Sequence, residues 1–188
     1  MLVIDLKPFS ECNSPGLNLL LKGMNRQYNL PTRDILKTNV IQPMYQETKD
    51  VIKKLLVPAT DIALTCDIWS TLQGSTRCYV TVTCHLINEN FELLEFVLTT
   101  EEMQVSHTAE NLSERLHEII YNWELEGKNI TFVTDNAGEM KKATSILGKF
   151  PWLSCGGHVL NLVASSAFDN VTVSTLITKC KNIVGFIK

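Results

Sequence analysis

Two aspartates stand where packing alone explains a carboxylate poorly. Asp135 follows the run Ile130-Thr131-Phe132-Val133-Thr134 and opens the polar turn Asn136-Ala137-Gly138. The pattern predicts a buried strand, a turn and a helix start, with Asp135 at the strand's carboxyl end, where open α/β sheets collect ligands. Asp67 lies inside a second apolar run, Ile62–Trp69. An unpaired carboxylate is costly to bury, so each needs a cation, a donor or an edge location, and two of them suggest a shared partner. Taken singly, either is explained by capping a turn or pairing with a lysine. As a pair at strand positions they favour a site for a divalent ion. Carboxylate oxygens are the ligands magnesium prefers, and strands about 4.8 Å apart would let both side chains converge on ions about 3.5–4 Å apart, as two-metal phosphodiester chemistry requires.

Other chemistry-bearing residues carry weaker signals. Cys155 and His158, separated by Gly156-Gly157, are a metal pair by type. One cysteine and one histidine cannot complete a tetrahedral zinc site, and the glycine turn gives no assurance of a thiol–imidazole bond, so packing or substrate positioning is expected. Trp69, Trp123 and Trp152 have the type to stack on an extruded base, but core packing is the expectation for each. His85 and His107 are accounted for by a strand face and a helix start. Lys141, Lys142 and Lys149 make a local basic patch near Asp135, read as a solvated helix face ahead of a phosphate contact.

The elements that must position these residues follow from the pattern. Residues 1–14 look extended or irregular. A short helix is predicted over Leu17–Met24, and a long one over Arg33–Val57, capped by Thr32 and kinked or split at Pro43. Pro58 closes an all-helical N-terminal segment, residues 1–58. The period then switches. Strands are predicted at Ile62–Trp69, Arg77–Asn88 and Phe91–Thr99, joined by turns at Ser70–Thr76 and Asn88-Glu89-Asn90 as an antiparallel meander. A helix with the stripe Leu112, Leu116, Ile119, Ile120 and Trp123 comes next, Thr108 being its candidate cap. A fourth strand, Asn129–Thr134, a helix over Ala137–Leu147, helical turns at His158–Val163 and a last helix over Val173–Ile187 complete the pattern. This order predicts an α/β, RNase H-like core over residues 59–188, with strand one central and strand four parallel beside it.

Composition narrows the function classes. Of 188 residues, 45% are apolar and 20% charged, which argues against disorder, and no apolar run is long enough to span a membrane. The start has no basic n-region and is broken by Asp5 and Lys7, so no secretory signal is expected. Six cysteines without CxxC spacing favour a reducing compartment, cytosol or nucleus. With a formal net charge of −3, affinity for DNA is expected to come mainly from regions outside this chain or from local basic patches.

The segments LTCDIWST, YVTVTCHLIN, HTAENLSERLHEII, FVTDNAGEM and CGGHVLNLV, in this order, resemble the hAT-superfamily transposases, and in particular the zinc finger BED domain-containing proteins. DLKPFS, PTRDILKTNVIQPMY and the Asp-x-Trp at Asp67 and Trp69 are similar to that group too. The resemblance implies a transposase core of RNase H-like fold with a metal-binding triad of two aspartates and a glutamate. Asp67 would be the first acidic residue and Asp135 the second, and Cys155 and His158 would fill the Cys-x-x-His motif. It further implies Mg2+ or Mn2+ as cofactor, DNA as partner, a homo-oligomer in a full-length form, and nuclear localisation. The third acidic residue, the BED zinc finger and the C-terminal dimerisation segment of that family have no counterpart here. The expectation is therefore a member incomplete at both ends, ancestrally a DNA transposase and inactive as this chain alone. The alternative is a domesticated, non-catalytic DNA-binding or transcription-regulator-type protein that keeps the core as a scaffold.

Overall fold

Apolar residues at every second position give the first strand one buried face. Ile62, Leu64 and Cys66 are buried in β1 (Asp61–Ser70), and Val80, Val82, Cys84 and Leu86 are buried in β2 (Cys78–Ile87), which pairs with it antiparallel. β3 (Leu93–Glu102) continues the meander along β2, with a bulge between Val82 and Thr83. These strands belong to a computed structural model that describes residues 4–5, 7–71, 77–104, 106–148, 150–168 and 171–187. The turn expected at Ser70–Thr76 and the lysine at 149 fall largely or wholly outside the described residues. The chain divides into two compact units, Met1–Pro58 and Ala59–Lys188.

In the first unit, Phe9–Asn13 forms a 3-10 turn where extended or irregular chain was expected. Asn18 Nδ2 ties its end down, donating to the Cys12 and Ser14 oxygens at 3.1 and 3.0 Å. Asn18 belongs to α1 (Pro15–Met24). The long helical run starts at Thr32, whose hydroxyl accepts from the Ile35 amide, and passes through α2 (Arg33–Ile35), a π-helical stretch (Leu36–Ile41) and α3 (Gln42–Leu56). Pro43 has no amide hydrogen and its ring clashes with the preceding turn in a regular α-helix. Here the run divides without breaking: the widened turn lies just before the proline, where the Gln42 amide donates to the Lys37 carbonyl five residues back.

In the second unit the sheet order is β3-β2-β1-β4-β5. β4 (Asn129–Thr134) lies parallel beside β1, which makes β1 central. The buried face of the sheet and the buried stripe of α4 (Ala109–Asn122), with Leu112, Leu116, Ile119 and Ile120, form the core. Met140 and Ala143 of α5 (Gly138–Leu147) extend it. The first turn of α5 is tied to α4 because Glu139 accepts from the Ala109 amide at 3.1 Å, satisfying a donor that has no partner within its own helix. β5 (Trp152–Ser154) was not anticipated as a strand. Three residues are too few for a periodic signal, and its pairing with Phe132, Val133 and Thr134 exists only in the folded sheet. Two helices follow, α6 (Gly156–Phe168) and α7 (Val171–Ile187).

The hairpin between β2 and β3 also departs from expectation, since β3 begins at Leu93 and not at Phe91. Asn88 Oδ1 accepts from the Asn90 and Glu92 amides, both at 2.9 Å, and Phe91 is left in the left-handed region with φ of 59° and 92% exposure. That conformation costs a side-chain-bearing residue about 1–2 kcal/mol, while glycine gives back roughly 0.5–1 kcal/mol through the entropy of the unfolded chain. Phe91→Gly should therefore stabilise the protein by about 0.5–1 kcal/mol. A raised urea midpoint at unchanged slope is the expected reading, and a lowered midpoint would contradict it.

Candidate metal centre

The register of β1 and β4 sets the geometry of the site. The two strands run parallel from Asp61 opposite Asn129 to Cys66 opposite Thr134. Asp67 and Asp135 are the next residues after this last pair: Asp67 is still within β1, opposite Thr81 of β2, and Asp135 directly follows β4. Cys66 and Thr134 lie on the buried side; alternation puts Asp67, within β1, on the other, and Asp135 begins the turn that follows β4. Asp67 is exposed and Asp135 half-buried. The apolar neighbours of Asp67 had suggested a buried carboxylate. It is exposed because those neighbours point alternately into the core and this face of β1 is open at its end.

Asp135 sits in a closely held turn. Its Oδ1 accepts from the Ala137 amide at 3.1 Å, the local pattern that lets an aspartate start a helix. A carboxylate has about four acceptor sites, so this bond leaves capacity for an ion. Thr134, 1% exposed, donates its hydroxyl hydrogen to the Asp135 carbonyl at 2.8 Å and accepts from Trp152 Nε1 at 2.9 Å. The Cys155 amide donates to the Thr134 carbonyl at 2.7 Å, and Ser154 Oγ donates to Asn136 Oδ1. Lys141 Nζ lies 5.2 Å from the Trp152 ring centroid, and Lys142 pairs with Glu139 at 3.3 Å. Both lysines thus have protein partners next to the Asp135 turn.

The remaining expected residues fall as follows. Cys155, half-buried, follows β5 directly, and its carbonyl accepts the Val159 amide of α6; His158 occupies the first turn of that helix. Trp123 is buried, as expected of a core residue, and Trp152 is half-buried. Trp69 is not in the core. It is 42% exposed, stacks on Tyr79 with ring centroids 4.6 Å apart, and donates from Nε1 to Thr81 Oγ1 at 3.1 Å. Its odd number gives the reason, since odd positions of β1 face away from the core, as Asp67 does. His85 bridges Glu95 and Thr65, both at 3.3 Å, across the strands of that open face. The sequence carried no sign of the Trp152–Thr134 or Ser154–Asn136 bonds, because both depend on β5 reaching β4.

A cavity of about 1030 Å³ lies at the other end of the strands and is lined by Asp61, His85, His117 and Lys128 among others. Hydrogen bonds from Thr60 and then Asn129 hold the Asp61 carboxyl below its ordinary range. Volume alone does not make that end the site. The two acidic positions follow the last pair of the parallel register, toward the carboxyl ends of its strands.

The donor set decides which ion fits. Among the described residues no three histidine, cysteine, aspartate or glutamate side chains gather as a metal-holding group. Two carboxylates directly beyond the last parallel pair do suit a hard, hydrated cation, since magnesium keeps several waters and is bound through one or two carboxylates plus substrate phosphate. Beneath this site the thiols are inert. Burial pushes the Cys66 thiol up to about 12, and pushes Cys84 up to about 11 against the opposing charge of Lys128. At pH 8 iodoacetamide should modify the exposed Cys180 and spare Cys66 and Cys84 until the protein unfolds, as mass spectrometry would read. Because folding raises the Cys66 pKa from 9.0, the associated stability is intact below about pH 9 and is lost as the pH climbs toward 12.

A mixed sheet with an antiparallel meander, a central first strand and parallel strands beyond it defines an RNase H-like core. Residues 65–151, which include both aspartates, match the family model described as the ZBED1 RNase-like domain. These comparisons support a likeness to the hAT transposase and BED zinc finger-like family. It is 28% identical over 184 residues to the human zinc finger BED domain-containing protein 4, covering 90% of this chain and 15% of that protein. It is 23% identical over 182 residues to the putative AC transposase of Zea mays, covering 89% of this chain and 22% of that protein. To the putative transcriptional regulator tpeD of Talaromyces stipitatus it is 25% identical over 181 residues, covering 89% of this chain and 21% of that protein. The chain thus spans about a fifth or less of the length of these relatives. A crystal structure of the catalytic domain of Mos1 mariner transposase overlaps 71% of this chain and 76% of that one at a TM-score of 0.33 and 10% identity, and the fold assignment does not rest on it. No helix among the described residues is long and apolar enough to cross a membrane.

Proposed function

We propose that this chain is the core portion of a hAT-type, transposase-derived nuclear protein. Residues 59–188 form a partial RNase H-like transposase core, and residues 1–58 form a helical segment preceding it. Asp67 and Asp135 are two of the three acidic residues of an ancestral two-metal site for Mg2+ or Mn2+. The ancestral reaction is DNA cleavage and strand transfer. The observation that carries this reading is that Asp67 and Asp135 each directly follow the last pair of the parallel β1–β4 register, Cys66 opposite Thr134.

When bound, the ions would supply Lewis-acid activation of a phosphoryl oxygen and of an attacking water or 3′-hydroxyl. The protein's own part is to hold its two carboxylates on rigid strands. Asp135 is braced by the Ala137 amide, and Trp69, stacked on Tyr79 beside Asp67, offers an aromatic surface to a nucleic-acid substrate. Cys155 and His158, at the start of α6, are assigned to structure or substrate positioning. DNA is the partner, bound mainly through regions outside this chain, and a full-length form assembles as a homo-oligomer.

A second reading, a domesticated DNA-binding regulator without catalysis, is favoured by the relative named as a putative transcriptional regulator. Mn2+ titration of this chain followed by electron paramagnetic resonance tests the metal site directly. Saturable binding lost in Asp67→Asn and Asp135→Asn supports the first reading, and identical titrations for wild type and both variants would remove it.

A further inference from the structure

Residues 152–155 hold Thr134 and Asn136, the two neighbours of Asp135, from the β5 side. Thr134 receives the Trp152 indole hydrogen on its hydroxyl and the Cys155 amide on its carbonyl, and Asn136 receives the Ser154 hydroxyl. An indole N–H can only donate, so the Thr134 hydroxyl must turn its own hydrogen elsewhere. It turns it to the Asp135 carbonyl at 2.8 Å, one residue beyond the last β1–β4 pair, where the ladder no longer fixes the backbone. On the other side of the indole, Lys141 Nζ lies 5.2 Å from the ring centroid, and the Lys141 amide donates to the Ala137 carbonyl at 3.1 Å.

We propose that Trp152 and Thr134 are positioning residues, a donor–hydroxyl pair by which edge strand β5 fixes the Asp135 turn in the conformation that presents its carboxylate to a divalent ion. The inference rests on the metal reading above, but its physical content is the rigidity of the turn. Phenylalanine at 152 would keep an aromatic ring but not the indole hydrogen, and Thr134→Val removes the same bond while leaving the indole in place. With Trp152 half-buried and Thr134 fully buried, breaking the pair strands a buried hydroxyl.

The test uses the 188-residue chain with Trp152→Phe, Thr134→Val, which keeps the shape but removes the hydroxyl, and Thr134→Ser, which restores it. Two quantities are read: hydrogen exchange of the Ala137 amide, which reports the Asp135 turn, and Mn2+ affinity by electron paramagnetic resonance. Trp152→Phe and Thr134→Val should each speed Ala137 exchange and weaken Mn2+ by about three- to tenfold, the effect of one net hydrogen bond. Thr134→Ser should match wild type, and the double variant should be no worse than either single one because both break the same chain of bonds. A purely structural role would lower the melting temperature and leave Ala137 exchange at its wild-type rate, which overturns the proposal. If wild type binds no Mn2+, the metal reading falls, and Ala137 exchange still decides whether the pair holds the turn.

Discussion

Asp135→Asn is expected to weaken Mn2+ binding at least about tenfold while leaving the melting temperature nearly unchanged. The asparagine oxygen can still accept the Ala137 amide, which Asp135 Oδ1 accepts at 3.1 Å, so the start of α5 keeps its cap. What is lost is charge, and a hard cation that keeps most of its waters depends on that charge for its protein contacts. Asp67→Asn should act alike, because Asp67 is exposed and its removal strands no buried partner. In a full-length protein that cleaves DNA in Mg2+ or Mn2+, either change should reduce cleavage and joining to background while DNA binding persists. Undiminished cleavage in either variant would take that residue out of the site. Unchanged promoter or partner binding in a protein that never cleaves would instead favour the scaffold reading.

Phe132→Ala should cost about 3–5 kcal/mol, the range for emptying a large aromatic site in a packed core. Phe132 is fully buried in the middle of β4, opposite Leu64 on β1 and Trp152 on β5, and its ring meets Phe150 edge-on at 5.7 Å between centroids. Domains of this size are stable by roughly 5–15 kcal/mol, so the loss is a large share of the total and should lower the melting temperature by about 6–20 °C. Thermal melts followed by circular dichroism would check it. A cost under about 1 kcal/mol would mean that β4 is not packed as described. The effect on Mn2+ should follow unfolding only, which separates this variant from Asp135→Asn three residues on.

Most of the scaffold was legible because its signals are periodic. Alternating burial along Cys78–Ile87 and the stripe of Leu112, Leu116, Ile119 and Ile120 each repeat often enough to register in one sequence, and the structure has β2 and α4 there. Element order then implied a parallel β4 beside a central β1, as observed. The failures have local causes. Phe91 carries a side chain that favours a strand, yet the Asn88 side chain closes a turn that forces it left-handed. Pro43 signalled a kink or a split, and the run does divide beside it, but through a widened turn that spacing does not announce.

By itself the sequence determined most of the elements, the two aspartates at or near strand ends and the family likeness, because these depend on residue type and short-range spacing. Only the tertiary structure decided that Asp67 is exposed, that Trp69 lies outside the core, and that Trp152 reaches Thr134 to brace the Asp135 turn. Those facts depend on which face of the sheet is covered and on which strand lies beside β4. Both are set by contacts between residues far apart in the chain, on which local spacing carries no information.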